Sequence, residues 1–75
     1  MIEPGIYKHY KGNLYEVMFM ANHSESLEEM VVYKALYTTQ FGNNSIWVRP
    51  ATMFIEMVAV DGVSVKRFEK LKTKE

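Results

Sequence analysis

The sequence predicts an all-β domain, built as a small barrel or a strongly bent antiparallel sheet. Short runs of β-branched, aromatic and aliphatic residues are separated by turn sequences along the chain. No run has the length and period of a helix of about ten residues or more. Asp61-Gly62 stands between two valine-rich runs, which is the strongest short-range signal for a hairpin. Closing a sheet on itself would hide its edges and give a short chain its best core.

The chain has 75 residues, which we interpret as a single domain over residues 1–75. We place the core at residues 5–68 and a flexible tail at residues 69–75. A domain this small buries only roughly 60–65% of the surface that its unfolded chain exposes, so its core is thin. The sequence has no cysteine, which excludes disulfides and thiolate metal sites. We predict neither a cofactor nor a bound metal.

Runs of β-branched, aromatic and aliphatic residues between turn sequences predict five or six short antiparallel strands, with the third run at the centre of the sheet. The predicted strands are Ile6–Tyr10, Leu14–Ala21, Met30–Thr38, Ile46–Arg49, Ile55–Val60 and Val63–Phe68. Residues 38–45 are predicted as a loop, because they contain a glycine-asparagine turn sequence. One helical turn is predicted at Pro50–Phe54, since proline is favoured at the first position of a helix.

Two registers follow from charges and turn residues. Placing Glu16 opposite Lys34 pairs the mid-strand charges of two neighbouring strands, which is worth roughly 0.2–1 kcal/mol. The same register pairs Met18 with Val32, Met20 with Met30, Val17 with Tyr33 and Phe19 with Val31. A two-residue type I′ turn at Asp61-Gly62 pairs Val60 with Val63, Val58 with Val65 and Glu56 with Arg67.

Nine basic and nine acidic side chains cancel, so the formal net charge is zero. A domain that grips nucleic acid usually carries a positive excess. We therefore favour an unknown protein or peptide partner over nucleic acid, and predict no membrane contact. A homodimer formed through exposed aromatic side chains is an alternative. Glu25, Glu28 and Glu29 cluster in one predicted loop, which we interpret as a solvated surface.

The first residues, Met-Ile-Glu-Pro-Gly, have no basic segment followed by an apolar run, so we predict no signal peptide. No apolar stretch approaches the roughly 20 residues of a membrane-spanning helix. We expect a soluble cytoplasmic protein.

The triplet His23-Ser24-Glu25 has residue types that could serve as base, nucleophile and orienting group. Adjacent side chains of an extended chain diverge, so the simpler interpretation is a loop in which Ser24 bonds nearby backbone. The alternative is a small enzyme that uses His23 with Glu25 or with His9. The two histidines lack the close spacing of a zinc site.

Aromatic residues are abundant: five tyrosines, four phenylalanines and one tryptophan. So small a core cannot enclose all of them, and tyrosine usually keeps its hydroxyl at a wet edge. Exposed rings beside a cation suit stacking with a ligand. Trp47 and Arg49, two residues apart on one predicted strand, share a face. Arg49 then contributes either to a binding surface or to an ion pair, for instance with Glu56.

Several segments, in order, resemble a family of short bacterial proteins catalogued as domain of unknown function 1653. The matching segments are Gly5–Gly12, Tyr15–Val17, Ala21–Glu25, Val31–Tyr37, Trp47–Pro50 and Met53–Phe54. The resemblance implies a compact SH3-like barrel, and it brings no established activity, substrate or cofactor. The family pattern emphasises His9, Tyr10, Lys11, Gly12, His23, Ser24, Glu25, Tyr33, Tyr37, Trp47, Arg49, Pro50 and Phe54.

These observations favour a binding or interaction module on a small SH3-like barrel, with no catalytic residues and an unidentified ligand. The function rests on the site and not on the fold, since small barrels bind many kinds of partner. The predicted binding surface consists of His9, Tyr10, His23, Glu25, Tyr33, Trp47 and Arg49.

Overall fold

The structure, a computed structural model, describes residues 2–73 and is all-β apart from one short helix. The strands are β1 (Gly5–His9), β2 (Leu14–Asn22), β3 (Glu29–Ala35), β4 (Thr38–Thr39), β5 (Gly42–Asn43), β6 (Ile46–Pro50), β7 (Met57–Val60), β8 (Val63–Lys66) and β9 (Phe68–Thr73). The helix α1 (Ala51–Phe54) joins β6 to β7. No helix within residues 2–73 is long and apolar enough to cross a membrane.

Five strands form the main antiparallel sheet, in the order β6-β3-β2-β1-β9. The pairs β4–β5 and β7–β8 form separate two-stranded ladders. The prediction of an all-β, antiparallel domain is confirmed. Closure of the sheet into a barrel stays a prediction.

The β2–β3 register agrees with the sequence prediction over half of its length. Glu16 lies opposite Lys34, and the Lys34 Nζ is 3.5 Å from the Glu16 Oε1. A β-bulge between Val17 and Phe19 then shifts the pairing by one residue, so the predicted partners beyond it are wrong. The observed partners beyond it are Phe19 with Val32, Met20 with Val31, and Ala21 with Met30.

The bulge has a physical cause in the sequence of β2. Register is strongly specified only where one face of a strand is polar and the other apolar. Both faces of β2 are largely apolar, so alternation alone does not oppose an extra residue. The bulge leaves Phe19 54% exposed.

The hairpin β7–β8 has the predicted register, with Val60 opposite Val63 and Val58 opposite Val65. Asp61 and Gly62 both have positive φ, +50° and +79°, as a type I′ turn requires. At the open end of the hairpin, the Arg67 Nη2 donates to the Glu56 Oε1 at 2.9 Å. The Arg67 backbone N–H also donates to the Glu56 carbonyl oxygen, at 3.1 Å.

The last strand differs from the predicted flexible tail. Residues 68–73 form β9, which pairs with β1 from His9 opposite Phe68 to Gly5 opposite Thr73. A β-ladder forms through hydrogen bonds between backbone groups. The charged side chains of this segment do not prevent those hydrogen bonds. Lys70 also forms an ion pair with Glu3. Lys74 and Glu75, the rest of the predicted tail, lie outside the described residues.

The core lies on the face of the main sheet against which α1 packs, called the inner face below. It consists largely of aromatic side chains. It contains Tyr7, Val17, Val31, Tyr33, Ala51, Phe54 and Phe68. The predicted helical turn is confirmed as α1, with Pro50 at its N-cap. This turn inserts Phe54, which is 1% exposed, against the sheet. Phe54 stacks on Phe68 with ring centroids 4.2 Å apart and planes 4° from parallel, so α1 and β9 are joined through the core.

Candidate functional site

The end of β1 carries a group of aromatic rings at the surface. The His9 ring lies 4.6 Å from the Tyr10 ring, 4.9 Å from the Phe68 ring and 6.3 Å from the Tyr15 ring, centroid to centroid. His9 is half-buried, while Tyr10 is exposed. The ring of His9 therefore connects the core to the surface at this end of the sheet.

A cleft of about 470 Å³ lies between this end of the main sheet and the hairpin β7–β8. Lys8, His9 and Tyr10 line it on the sheet side, and Val65 and Lys66 line it on the hairpin side. Its volume falls within the range of sites that hold small ligands or peptide side chains. Two of the predicted binding residues, His9 and Tyr10, therefore share one concave surface.

A second cavity, of about 290 Å³, adjoins the base of the hairpin. Tyr7, Phe54 and Phe68 of the core line it. Both cavities are also lined by Met57 and Lys66, which are cross-strand partners in the hairpin. The cleft and this largely apolar cavity are therefore neighbours that share one rung of the hairpin.

Positive charge collects around the cleft. Lys8, Lys11 and Lys66 form no ion pair within residues 2–73. The Nζ of Lys11 lies 5.9 Å from the centre of the Tyr10 ring. Glu69, the cross-strand partner of Lys8, is the acidic residue that lines the cleft. The cations of this surface outnumber its carboxylates.

The pKa of His9 is lowered below its ordinary value of 6.5, first by burial and then by the positive charges of Arg49, Arg67 and Lys11. The His9 Nδ1 accepts a hydrogen bond from the Lys11 backbone N–H at 3.2 Å. A neutral imidazole that accepts at Nδ1 carries its proton on Nε2. At neutral pH, His9 therefore offers the cleft an uncharged ring rather than another cation.

Tyr33 and Arg49 meet on the inner face of the sheet. The Arg49 Nε donates to the Tyr33 hydroxyl at 3.3 Å, and the guanidinium carbon lies 5.6 Å from the centre of the Phe68 ring. Arg49 has no carboxylate partner within residues 2–73, and the Glu56 proposed for it binds Arg67 instead. The ion-pair alternative for Arg49 with Glu56 is therefore wrong.

Trp47 shares the face of Arg49, since they lie opposite Tyr33 and Val31 respectively. Its indole N–H donates to the Ser45 Oγ at 2.9 Å, and its ring lies 5.3 Å from the Phe41 ring, edge to face. Trp47 is 38% exposed. It joins the site through its cross-strand neighbour Tyr33 and does not line the cleft.

A family model for DUF1653, a protein of unknown function, matches residues 5–70. The chain belongs to the DUF1653 family. A crystal structure of a DUF1653 protein from Bordetella bronchiseptica has a TM-score of 0.86 to this chain at 28% sequence identity. The match covers 99% of this chain and 92% of that one. No curated protein matches the chain. The family predicted from the sequence is thus confirmed. The family description names no activity, so the function of this DUF1653 chain is inferred from its own site.

His23 and Glu25 of this DUF1653 chain lie away from the cleft, in the turn between β2 and β3. The nine residues of β2 span about 26 Å at the usual rise per residue, and His9 lies beside the opposite end of that strand. The His23 Nδ1 accepts the backbone N–H groups of Glu25 and Ser26, at 3.2 and 3.3 Å. The structure therefore gives His23 a turn-forming contact and does not bring it to His9.

The geometry offers no support for the enzyme alternative. That alternative needs His23 to converge with His9 or with the Glu25 side chain in a pocket, and the imidazole of His23 instead bonds the backbone of its own turn. Within residues 2–73, no group of three or more histidine, aspartate or glutamate side chains is placed to hold a metal ion.

Two parts of the site were missed by reasoning from sequence. Val65 and Lys66 line the cleft from the hairpin, but no sequence signal tells which face of a hairpin packs near another strand. Tyr15 packs on His9 and Tyr33, and its hydroxyl is 2.5 Å from that of Tyr37. Burial and this hydrogen bond raise the pKa of Tyr15, so it stays protonated. Its place at the start of a strand, just after the Gly12-Asn13 turn sequence, is the signal that could have found it.

Proposed function

We propose that this DUF1653 chain is a non-enzymatic binding module that holds a peptide segment of a partner protein in the cleft between the main sheet and the β7–β8 hairpin. The observation that carries the proposal is the cleft itself. It combines an exposed aromatic ring, Tyr10, with apolar and cationic side chains from two separate ladders. Tyrosine and methionine, which this cleft contributes as Tyr10 and Met57, are enriched at the core of protein-binding surfaces.

We further propose that the main sheet curls into an SH3-like barrel. The support is a contact between its two edge strands: the guanidinium of Arg49 on β6 lies over the ring of Phe68 on β9. The edges of a flat five-stranded sheet would lie far apart, since neighbouring strands are about 4.8 Å apart. The site is then at one end of the barrel. The cytoplasm is the proposed location, because a chain without cysteine suits a reducing compartment.

A peptide is favoured over a nucleic acid for two reasons. The formal net charge is zero, whereas nucleic-acid binding draws much of its affinity from phosphate neutralisation. The floor of the cleft also includes Met57 and Val65, which give a phosphate backbone nothing to bind. Apolar and aromatic side chains of a peptide fit that floor.

A displayed library of random peptides tests the proposal. The library is selected on the immobilised wild-type protein, and the enriched peptides are then measured on Tyr10→Ala and on Phe41→Ala. Phe41 is an exposed ring that packs on Trp47 and does not line the cleft, so it is the matched control. We expect Tyr10→Ala to weaken binding by about tenfold or more and Phe41→Ala to leave it unchanged.

Two results would contradict the proposal. One is a failure to enrich any peptide whose binding depends on Tyr10. The other is a gel shift showing that single-stranded RNA binds with strong salt dependence while peptides do not, which would make the protein a nucleic-acid binder.

A further inference from the structure

We infer that the segment bound in the cleft is acidic and carries an apolar anchor side chain, so that its carboxylates face Lys8 and Lys66 while the anchor enters the cavity beside Phe54 and Phe68. This inference rests on the proposed function, and it names the chemistry of the partner. It draws on two observations: the charge imbalance of the cleft and the largely apolar cavity that shares the Met57–Lys66 rung with it.

The charge imbalance comes first. Elsewhere on the described chain, Lys34 is paired with Glu16, Arg67 with Glu56 and Lys70 with Glu3. Arg49, which has no carboxylate partner within residues 2–73, donates instead to the Tyr33 hydroxyl. The cleft differs in collecting several unpaired lysines. Lys8 and Lys66 line it, Lys11 stands beside Tyr10, and none of the three has an ion-pair partner within residues 2–73. Unpaired like charges around one concave surface favour a ligand of opposite sign.

His9 strengthens the preference of the cleft for an acidic ligand. Its ring is held uncharged at neutral pH by burial and by the neighbouring cations. It therefore presents a flat ring and an Nε2–H donor between the lysines. A carboxylate can accept from such a donor as well as from an ammonium group.

The second cavity supplies the anchor position. Its volume of about 290 Å³ is large enough for one aliphatic or aromatic side chain. Phe54 and Phe68 line it with Ile55. Of its two lysines, Lys70 is paired with Glu3, and Lys66 belongs to the rung that this cavity shares with the cleft. The rung of Met57 and Lys66 borders both cavities, so an extended peptide crossing this rung would place its acidic side chains at the cleft and its apolar side chain at the cavity.

The same geometry disfavours a nucleic acid. A strand of nucleic acid needs cations spaced along its path and rings on which successive bases stack. Lys8, Lys11 and Lys66 gather at and beside the cleft, and Glu69 stands among them. Beyond the hairpin rung the lining becomes mostly apolar.

The experiment uses two hexapeptides with blocked ends, one alternating leucine with glutamate and one alternating leucine with glutamine. Each is titrated into the nitrogen-15-labelled protein, and the amide shifts of His9, Tyr10, Val65 and Lys66 are followed by NMR. We expect the glutamate peptide to bind about tenfold more tightly than the glutamine peptide, because each exposed ion pair contributes about 0.2–1 kcal/mol, which is up to about fivefold in affinity. In the Lys8→Gln/Lys66→Gln variant the preference for the glutamate peptide should fall sharply, leaving only what Lys11 and His9 contribute.

Lys34→Gln is the control, since it removes one positive charge from a residue of the main sheet that does not line the cleft. It should leave the preference for glutamate unchanged. Equal binding of the two peptides to the wild-type protein would overturn the inference while the proposed function stands. If neither peptide shifts these amides and no library peptide depends on Tyr10, both fall. A salt-sensitive shift of the same amides by oligouridylate, with no shift by the glutamate peptide, would replace the acidic peptide with a nucleic acid.

Discussion

The β2–β3 pair and the β7–β8 hairpin are both antiparallel ladders, yet they acquire their registers in different ways. The hairpin is set by its turn, because Asp61 and Gly62 adopt the positive φ values that a two-residue connection needs. The register of the β2–β3 pair is set by side-chain packing. It shifts by one residue at a bulge for which the sequence has no recognisable signal. Local turn chemistry fixes a register within a few residues, whereas two strands with apolar faces find theirs only when the core forms.

The two ladders also differ in what they bury. Val17 on β2 and Val31 on β3 have no exposed surface. On the hairpin, Val63 is 61% exposed, and Val60 and Met57 are also at the surface. The hairpin is thus a projecting element that contributes little to the core. Its apolar side chains are available to a ligand.

The largest expected effect tests the role of the core. Phe54→Ala removes a ring that stacks on Phe68, and large-to-small changes of buried phenylalanine cost about 3–5 kcal/mol of unfolding free energy. Urea unfolding followed by circular dichroism measures the loss. Phe41→Ala, at an exposed ring, should cost less than about 0.5 kcal/mol. A loss at Phe54 no larger than that at Phe41 would contradict the central place given to α1 in the core.

A smaller effect is expected in the turn of the hairpin. Gly62 has φ +79°, and a side chain added there meets open space, so Gly62→Ala introduces backbone strain alone. We expect a loss of about 1 kcal/mol in unfolding free energy. Gly62→Asn should lose less, because asparagine tolerates this conformation. Equal stability of the wild type and Gly62→Ala would mean that the turn does not set the hairpin.

The ion pair at the open end of the hairpin should contribute less still. A double-mutant cycle with Glu56→Gln and Arg67→Gln should give a coupling free energy of about 0.2–1 kcal/mol, since the Glu56 side chain is about half exposed. The coupling should fall as salt is added. A coupling that salt does not change would point to the geometry of the side-chain hydrogen bond between Arg67 and Glu56 rather than to their charges.

The smallest expected effect lies at His9, at the end of β1, which lines the cleft between the main sheet and the hairpin. Its pKa is lower in the folded chain than the ordinary value of 6.5, so the unfolded chain binds the proton more readily. The stability that His9 contributes is present above pH 6.5 and is lost as the pH falls toward the folded pKa. His9→Gln should remove this part of the pH dependence, as measured by urea unfolding at a series of pH values. An NMR titration that places the His9 pKa above 6.5 would contradict it.

Much of the strand layout could be predicted from the sequence, because it rests on local signals. Turn residues located the hairpin, Glu16 and Lys34 located the β2–β3 pairing, and Pro50 located α1. The bulge at Met18 could not be predicted, since both faces of β2 are apolar. Residues 69–73 were predicted as a tail because of their charges, whereas β9 is held by backbone hydrogen bonds to β1.

The candidate site was predicted in part. His9 and Tyr10 do share a cleft, and Tyr33 with Arg49 lies just behind it, joined through Phe68. The cleft residues of the hairpin could not be predicted from the sequence, because their position depends on how the hairpin packs against the main sheet. Surface lysines such as Lys66 carry no periodic signal of their own.

Zero net charge conceals a division of charge between the two ends of the β2–β3 pair. The cationic cleft lies near one end, and Glu25 and Glu28 of the turn, with Glu29 at the start of β3, lie at the other, about one strand length away. An approaching anionic partner would be attracted to one end and repelled from the other, so encounters would be oriented before contact. Association should therefore slow with added electrolyte even though the molecule as a whole is electrically balanced.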